Sequence, residues 1–311
     1  MAEQNPSQEI QIASCNVKDA LANADRSLEL LDWVAMEQPA VAVFTEAYPA
    51  SDPGDLPVAV AEFRRMGYAV RHVRQEISDD RPDAHGILMI AKKDQMRSRR
   101  IKVIKLAGRR ALLAQMRDGD EETGEAYDVF GHQGNDRDDK WRLADIQALG
   151  RCIFGGAERG RPMPTAVVTG NTVERRGLVP HCLSAAGRVI NKFVERGLLP
   201  SAPPNPNDPP AGLKRGINVA QRLGLMASGK AYRALQRLTL QNADPSMQPT
   251  MRKYGLPVKT DHIFITPEFA VLKHQVQPLE AARDVQTPSV PLTHCALLAT
   301  VTLPRPDYPV G

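Results

Sequence analysis

Short segments of apolar or alternating residues recur along the chain and predict a sheet-rich fold. The segment 10–17 alternates between apolar and polar positions, whereas 40–44 is continuously apolar, as in a fully buried strand. Strands are predicted at 10–17, 40–44, 68–74, 86–91, 101–106, 111–116, 127–132, 165–169, 262–265 and 295–303. Apolar residues at helical spacing predict helices at 24–36, 56–66 and 141–154, with further helical pieces near 185–196 and 220–238.

The interleaving of strands and helices favours one two-sheet α+β domain with covering helices over two independent domains. We assign residues 9–304 to this domain, with an N-terminal tail at 1–8 and a C-terminal tail at 305–311. Residues 200–212 contain six prolines and are predicted to form an exposed loop inserted in the domain.

Several features bear on the compartment. The longest apolar runs have the length of a strand, so no membrane span is predicted. The polar segment 1–11 lacks a basic-then-apolar signal pattern, which favours a cytoplasmic protein. The four cysteines are scattered, without a CxxC pair, and suit a reducing compartment better than a disulfide framework or a zinc site.

The charge balance permits an anionic partner without requiring one. Forty Lys and Arg against 36 Asp and Glu give a net charge of +4. Aromatic residues make up only 5%, which disfavours a stacking platform for single-stranded nucleic acid. The densest positive charge lies within 92–110; it either guards an edge strand against association or contacts a phosphate backbone.

Polar residues that could take part in binding or catalysis border six of the predicted strands. Residues at the ends of adjacent strands converge on one rim in α/β folds, so dispersed positions can form one site. These residues are Asn16, Glu46, His132, Asn171, Asp261 and His294. Taken singly, Asn16 and His132 are also typical of turns, and Glu46 of a solvated strand end.

The order of the motifs around these residues resembles the endonuclease/exonuclease/phosphatase superfamily, which has the deoxyribonuclease-I-like fold. The resemblance extends roughly from residue 9 to residue 303, and the combination is more specific than any one motif. The motifs are Ser14-Cys15-Asn16-Val17, Phe44-Thr45-Glu46-Ala47, Phe130-Gly131-His132, Val168-Thr169-Gly170-Asn171-Thr172, Thr260-Asp261-His262-Ile263-Phe264 and Leu292-Thr293-His294-Cys295.

The resemblance implies a four-layered α/β/β/α sandwich of two mixed sheets flanked by helices. It also implies a metal-dependent phosphoesterase site at one edge, with Mg²⁺ or Mn²⁺ bound by Glu46 beside Asn16. His132, Asn171, Asp261 and His294 then match the catalytic residues, Asp261 and His294 as a carboxylate–histidine pair. A hard cation suits such an oxygen-rich site, and a charged imidazole donates strongly to phosphate. Arg137, Arg142 and Arg175 are candidate phosphate contacts, because they follow His132 and Asn171 in the sequence.

The chain departs from the family pattern at two motifs. The family has Gly-Asp-x-Asn, whereas this chain has Gly170-Asn171-Thr172 without an acid; the family has Ser-Asp-His, whereas this chain has Leu292-Thr293-His294. Loss of these carboxylates weakens cation binding and removes a candidate general base worth roughly 10²–10⁴-fold in rate.

Two functions follow from the retained and the lost residues. The first is a metal-dependent phosphodiesterase of attenuated activity, acting on nucleic acid or on another phosphodiester. The second is an impaired member of the same fold that binds a phosphorylated ligand without turnover. In either case we expect a monomer.

Overall fold

Two mixed β-sheets packed face to face form the centre of the protein. The structure is a computed structural model, and it describes residues 9–49, 51–75, 85–119, 124–134, 139–155, 165–176, 234–235, 238, 240–244, 250–253, 256–283 and 293–303. The predicted tails, the proline-rich segment 200–212, the helical piece near 185–196 and most of that near 220–238 lie outside the described residues.

The first sheet contains six of the described strands. They are β1 (Ile10–Asn16), β2 (Val41–Pro49), β3 (Tyr68–Arg74), β4 (His85–Lys92), β12 (Ala270–Arg283) and β13 (Thr293–Thr302). Their order is β3-β4-β2-β1-β13-β12, and the pair β1 and β2 is parallel while the other pairs are antiparallel.

The second sheet also contains six described strands. They are β5 (Lys102–Lys105), β6 (Arg110–Asp118), β7 (Glu125–Gln133), β8 (Ala166–Arg176), β9 (Gln241–Asn242) and β11 (Leu256–Ile265). Their order is β5-β6-β7-β8-β11-β9, with one parallel pair, β7 and β8. The short strand β10 (Met251–Lys253) pairs with β11 and, at Met251, with His294 of β13, so it joins the two sheets.

Helices cover the outer face of each sheet. Helices α1 (Ala24–Glu37) and α2 (Leu56–Arg65) pack on the first sheet, and α3 (Asp139–Phe154) packs on the second. A third apolar cluster fills the space between the sheets. This arrangement confirms the predicted α/β/β/α sandwich. No helix among the described residues is long and apolar enough to cross a membrane.

Local sequence accounts for the helices. The side chain of Asn23 accepts a hydrogen bond from the Arg26 backbone N–H at 3.2 Å, which caps the first turn of α1. Trp33 and Val34 face the sheet, where Trp33 meets the ring of Phe44 edge-on at 6.3 Å. Burial of one such large apolar side chain contributes about 1.5–3 kcal/mol.

Several strands are longer than their apolar cores predict. Strand β8 continues through Asn171, β11 begins before Asp261, and β13 begins before His294, so these three residues lie within strands instead of at their ends. The apolar pattern does not predict strand β12, because its polar residues and Pro278 hide the alternation. Among the described strands, β12 pairs with β13 alone.

Candidate functional site

Strands β7, β8 and β11 carry successive rows of residues on opposite faces. In the inner row, Gln133 pairs with Asn171, and Asn171 pairs with Asp261. Their alternation matches that of Val129 and Val167, which lie in the apolar cluster between the sheets. The inner row therefore faces the first sheet, where the remaining candidate residues are found.

In the outer row, His132 pairs with Gly170, and Gly170 pairs with His262. The two histidines line a cavity of about 10 Å³ together with Val168, Leu235 and Phe264, whose side chains belong to the outer apolar cluster under α3. His132 is 2% exposed, and its Nε2 atom has no hydrogen-bond partner among the described residues. The structure thus corrects the assignment of His132 as a phosphate contact, since it lies on the opposite face from Glu46.

The environment of His132 keeps its ring neutral. Burial, followed by the positive charge of Arg109, lowers the pKa of His132 to about 3. The close approach of β7 and β8 at this point requires glycine at position 170. Its φ is +136°, and a Cβ atom there would lie 1.9 Å from the carbonyl oxygen of His132.

Glu46 lies at a bulge of β2 and is held by two neighbours. Its φ is +49°, and the register of β2 with β4 shifts between Phe44 and Tyr48. One carboxylate oxygen, Oε1, accepts a hydrogen bond from Gln133 Nε2 at 3.1 Å, while the Glu46 backbone N–H donates to Gln133 Oε1 at 3.2 Å. The other oxygen, Oε2, forms an ion pair with Lys18 Nζ.

The carboxylate of Glu46 is ionised at neutral pH. Burial alone raises its pKa, but the charge and hydrogen bond of Lys18, together with the charges of His85 and His294, lower the pKa to about 2. His294 is thus near enough to Glu46 to act on its pKa, while its catalytic role stays a prediction.

A tight turn after β1 positions Lys18. Lys18 and Asp19 both have left-handed backbone conformations, with φ of 45° and 57°. The side chain of Asn16 accepts a hydrogen bond from the Lys18 N–H at 3.2 Å, and the Asp19 N–H donates to the Glu46 carbonyl at 2.6 Å. Asn16 thus holds the turn, which was the alternative interpretation of this residue, while its role as a metal ligand stays a prediction.

Threonine hydroxyls connect the buried polar residues on β8 and β11. Asn171 Nδ2 donates to Thr260 Oγ1 at 3.4 Å, and Thr260 Oγ1 donates to Asp261 Oδ2 at 3.0 Å. The Asp261 N–H donates to Thr250 Oγ1 at 3.1 Å. Asp261 is fully buried, and its charge adds to burial in raising the pKa of the Cys15 thiol on β1. Asp261 therefore lies near the end of β1, although its pairing with His294 stays a prediction.

The described residues do not fit a divalent-metal site as they are arranged. Glu46 has both carboxylate oxygens engaged, one by Gln133 and one by the Lys18 ammonium. A divalent cation at Oε2 would have to displace Lys18, because two cations cannot share that position. Within the same described ranges, no three His, Cys, Asp or Glu side chains converge on a possible metal position. The expectation of Mg²⁺ or Mn²⁺ therefore lacks support from the side-chain geometry.

The three arginines predicted to contact phosphate have different positions. Arg142 is buried, at 8% exposure, in the first turns of α3 on the outer side of the second sheet, so it is not an exposed phosphate contact. Arg175 lies in β8, but its side chain is outside the described residues. Arg137 lies wholly outside the described residues.

Sequence reasoning missed Lys18 and Gln133, which contact Glu46 directly. Gln133 was available from the alternation of the predicted strand, because positions 129, 131 and 133 share the inner face. Lys18 carried no such signal, since only the left-handed turn brings its ammonium back onto Glu46.

The sandwich has the same fold as several solved structures, among them proteins described as endonuclease/exonuclease/phosphatases. The chain is similar to the human Nocturnin catalytic domain with bound sulfate anion, at 12% identity and a TM-score of 0.59, over 95% of this chain and 94% of that one. It is similar to an endonuclease/exonuclease/phosphatase from Bacteroides vulgatus, at 13% identity and a TM-score of 0.59, over 96% and 100%.

A third similar structure is that of ANGEL2, a 2′,3′-cyclic phosphatase in complex with adenosine-2′,3′-vanadate, at 11% identity and a TM-score of 0.56, over 96% of each chain. No protein-family model and no curated protein sequence matches the chain. The structural similarities confirm the fold that the motif order predicts.

Proposed function

We propose that the protein binds a phosphodiester ligand of nucleic-acid type at the Glu46 site, with hydrolysis strongly attenuated or absent. The observation that carries this proposal is the ion pair between Glu46 and Lys18, in which an ammonium has the position next to the carboxylate where a metal ion would be needed. The similarity to phosphatases and nucleases supports a phosphate ester as the ligand.

Lys18 supplies a fixed positive charge for this ligand. An ammonium has three N–H donors, and the Lys18 side chain is 31% exposed, so a phosphate oxygen approaching from solvent can reach it. Glu46 holds the ammonium in place and lowers its net attraction for anions, which suits a singly charged phosphodiester better than a phosphomonoester dianion.

The second candidate is divalent-metal-dependent hydrolysis of nucleic-acid phosphodiesters. It is favoured by one observation, the low pKa of Glu46, because an ionised carboxylate near His294 is the state in which a metal ligand must exist. It is disfavoured by Asn171, whose amide opposite Asp261 cannot act as a general base for water.

One experiment distinguishes the two candidates. Hydrolysis of bis-p-nitrophenyl phosphate and of plasmid DNA is measured with Mg²⁺, Mn²⁺ or EDTA, for the native chain and for Glu46→Gln. We expect no hydrolysis above that of the variant. Metal-stimulated hydrolysis that disappears in Glu46→Gln would instead establish the second candidate.

Binding is measured in parallel by calorimetric titration of bis-p-nitrophenyl phosphate in EDTA. We expect binding that weakens at least about tenfold in Lys18→Met, because one charge-assisted hydrogen bond contributes about 1.5–3 kcal/mol. Lys273→Met is the matched control, an exposed lysine on β12 outside the site. If Lys18→Met and Lys273→Met bind equally well, the ammonium of Lys18 is not a ligand contact and the proposal fails.

A further inference from the structure

A second concentration of positive charge lies far from the Glu46 site. A cavity of about 270 Å³ opens between β3, an edge strand of the first sheet, and the segment that leads into β5, an edge strand of the second. Among the described residues, five cationic side chains and no carboxylate line it. They are Arg64, Arg71, Lys93, Arg99 and Arg100.

These cations come from four separate segments of the chain. Arg64 is in the last turn of α2, Arg71 is on β3, Lys93 follows β4, and Arg99 and Arg100 precede β5. All five are exposed, and none forms an ion pair among the described residues. Like charges that converge in this way repel each other, so an anion that enters the cavity is stabilised by all of them.

The remaining lining residues define a floor with one polar group. Ala69, Val70 and Ile101 are apolar, and Tyr68 is 3% exposed. The Tyr68 hydroxyl has no hydrogen-bond partner within the described ranges, and burial, with the charge of Asp94, raises its pKa to about 12. The hydroxyl therefore keeps its proton, and Asp94 does not line the cavity.

The cavity and the Glu46 site are at opposite ends of the first sheet. Tyr68 pairs with Lys92, whose N–H donates to the carbonyl of Ala40 just before β2, whereas Glu46 lies five residues into that strand. At about 3.3 Å per residue the separation along the strand is roughly 17 Å from Tyr68 and roughly 10 Å from Arg71, which is level with Val43, and β4 lies between β3 and β2. One small ligand cannot contact both.

We propose that this cavity binds a small anion with several adjacent phosphate groups, at a position independent of the Glu46 site. The concave shape and the four contributing segments favour a compact polyphosphate over the extended backbone of a duplex, which needs cations spread along a surface. A volume of about 270 Å³ is close to the lower end of the range for small-molecule sites, about 300 Å³.

The test is calorimetric titration of tripolyphosphate at fixed ionic strength, with unfolding temperature as a second readout. We expect tripolyphosphate to bind and to raise the unfolding temperature, with affinity reduced at least tenfold in Arg71→Gln and in Arg100→Gln. Arg65→Gln is the matched control: Arg65 is exposed on the same helix as Arg64, pairs with Glu62 at 2.8 Å, and does not line the cavity.

Two further arms separate this proposal from its rivals. Glu46→Gln is expected to leave tripolyphosphate affinity unchanged, so failure of the Glu46 proposal does not affect this one. The proposal is overturned if Arg65→Gln weakens binding as much as Arg71→Gln, or if the native protein does not bind tripolyphosphate. A DNA duplex that binds more tightly than tripolyphosphate, and loses affinity in the same two variants, would identify the surface as a nucleic-acid contact and also overturn it.

Discussion

The outer and inner rows on β7, β8 and β11 are adjacent in sequence and differ in almost every physical respect. The outer row contains His132, Gly170 and His262 under α3, in an apolar layer that keeps His132 neutral. The inner row contains Gln133, Asn171 and Asp261 and contacts an ionised carboxylate, Glu46. A shift of one residue along a strand therefore separates a position in an apolar layer from a position beside the Glu46 carboxylate.

The change with the largest expected effect is Gly170→Ala, because both rows depend on the close approach at this glycine. The added Cβ would lie 1.9 Å from the His132 carbonyl oxygen at a φ of +136°. We expect a loss of at least about 3 kcal/mol in the free energy of unfolding, measured by urea titration. Gly67→Ala is the control, since Gly67 also has positive φ, +92°, but no atom within 4 Å of the added Cβ. Equal losses at the two positions would show that the close approach contributes nothing.

The next effect is the acid sensitivity of the outer row. The pKa of His132 falls from 6.5 to about 3 on folding, so the unfolded chain binds a proton in this range that the folded chain does not. Stability from this group is complete above pH 6.5 and is lost as the pH falls toward 3, by on the order of 5 kcal/mol. Urea unfolding between pH 7 and pH 4 is expected to show a shallower decline for His132→Gln; an unchanged slope would contradict a buried neutral imidazole.

The carboxylate of Glu46, which the inner row contacts, loses its contribution to stability over a lower and narrower pH range than His132 does. The pKa of Glu46 falls from 4.5 to about 2, so its contribution is complete above pH 4.5 and disappears as the pH falls toward 2. The expected loss is about 3 kcal/mol. The difference between native protein and Glu46→Gln in unfolding free energy should change between pH 5 and pH 2.5 and stay constant above pH 5. If the difference in unfolding free energy between the native protein and Glu46→Gln varied between pH 5 and pH 7, the pKa of Glu46 would be higher than expected and the prediction would be wrong.

The smallest expected effect is a change in ligand affinity, and it tests whether the inner or the outer row contributes to ligand binding. Gln133→Ala removes both hydrogen bonds to Glu46 and is expected to weaken binding of bis-p-nitrophenyl phosphate by up to about 30-fold, since the two bonds together are worth about 2 kcal/mol. His132→Gln is expected to change affinity less than about twofold. The reverse order, measured by the same calorimetric titration, would restore His132 as a site residue.

Much of the fold could be predicted from the sequence. Apolar patterns predicted ten of the thirteen described strands, and the motif order predicted that Glu46, Asn171, Asp261 and His294 lie at one edge, which stays a prediction for the site itself. The sequence could not show that β8, β11 and β13 extend past their apolar cores. A polar residue inside a paired strand has the same sequence pattern as a polar residue in the adjoining loop.

The spacing of strands and helices in the sequence indicated one two-sheet domain with covering helices, and the resemblance of the motif order to a known family implied the four-layered order that the structure shows. Only the tertiary structure decided which polar side chains meet. The side-chain period of two put Gln133 instead of His132 on the inner face, and a left-handed turn put Lys18 on Glu46. The alternation of strand β7 indicates that Gln133 and His132 lie on opposite faces, but only the packing of the two sheets shows which face meets Glu46; the turn that brings Lys18 to Glu46 has no local sequence signal.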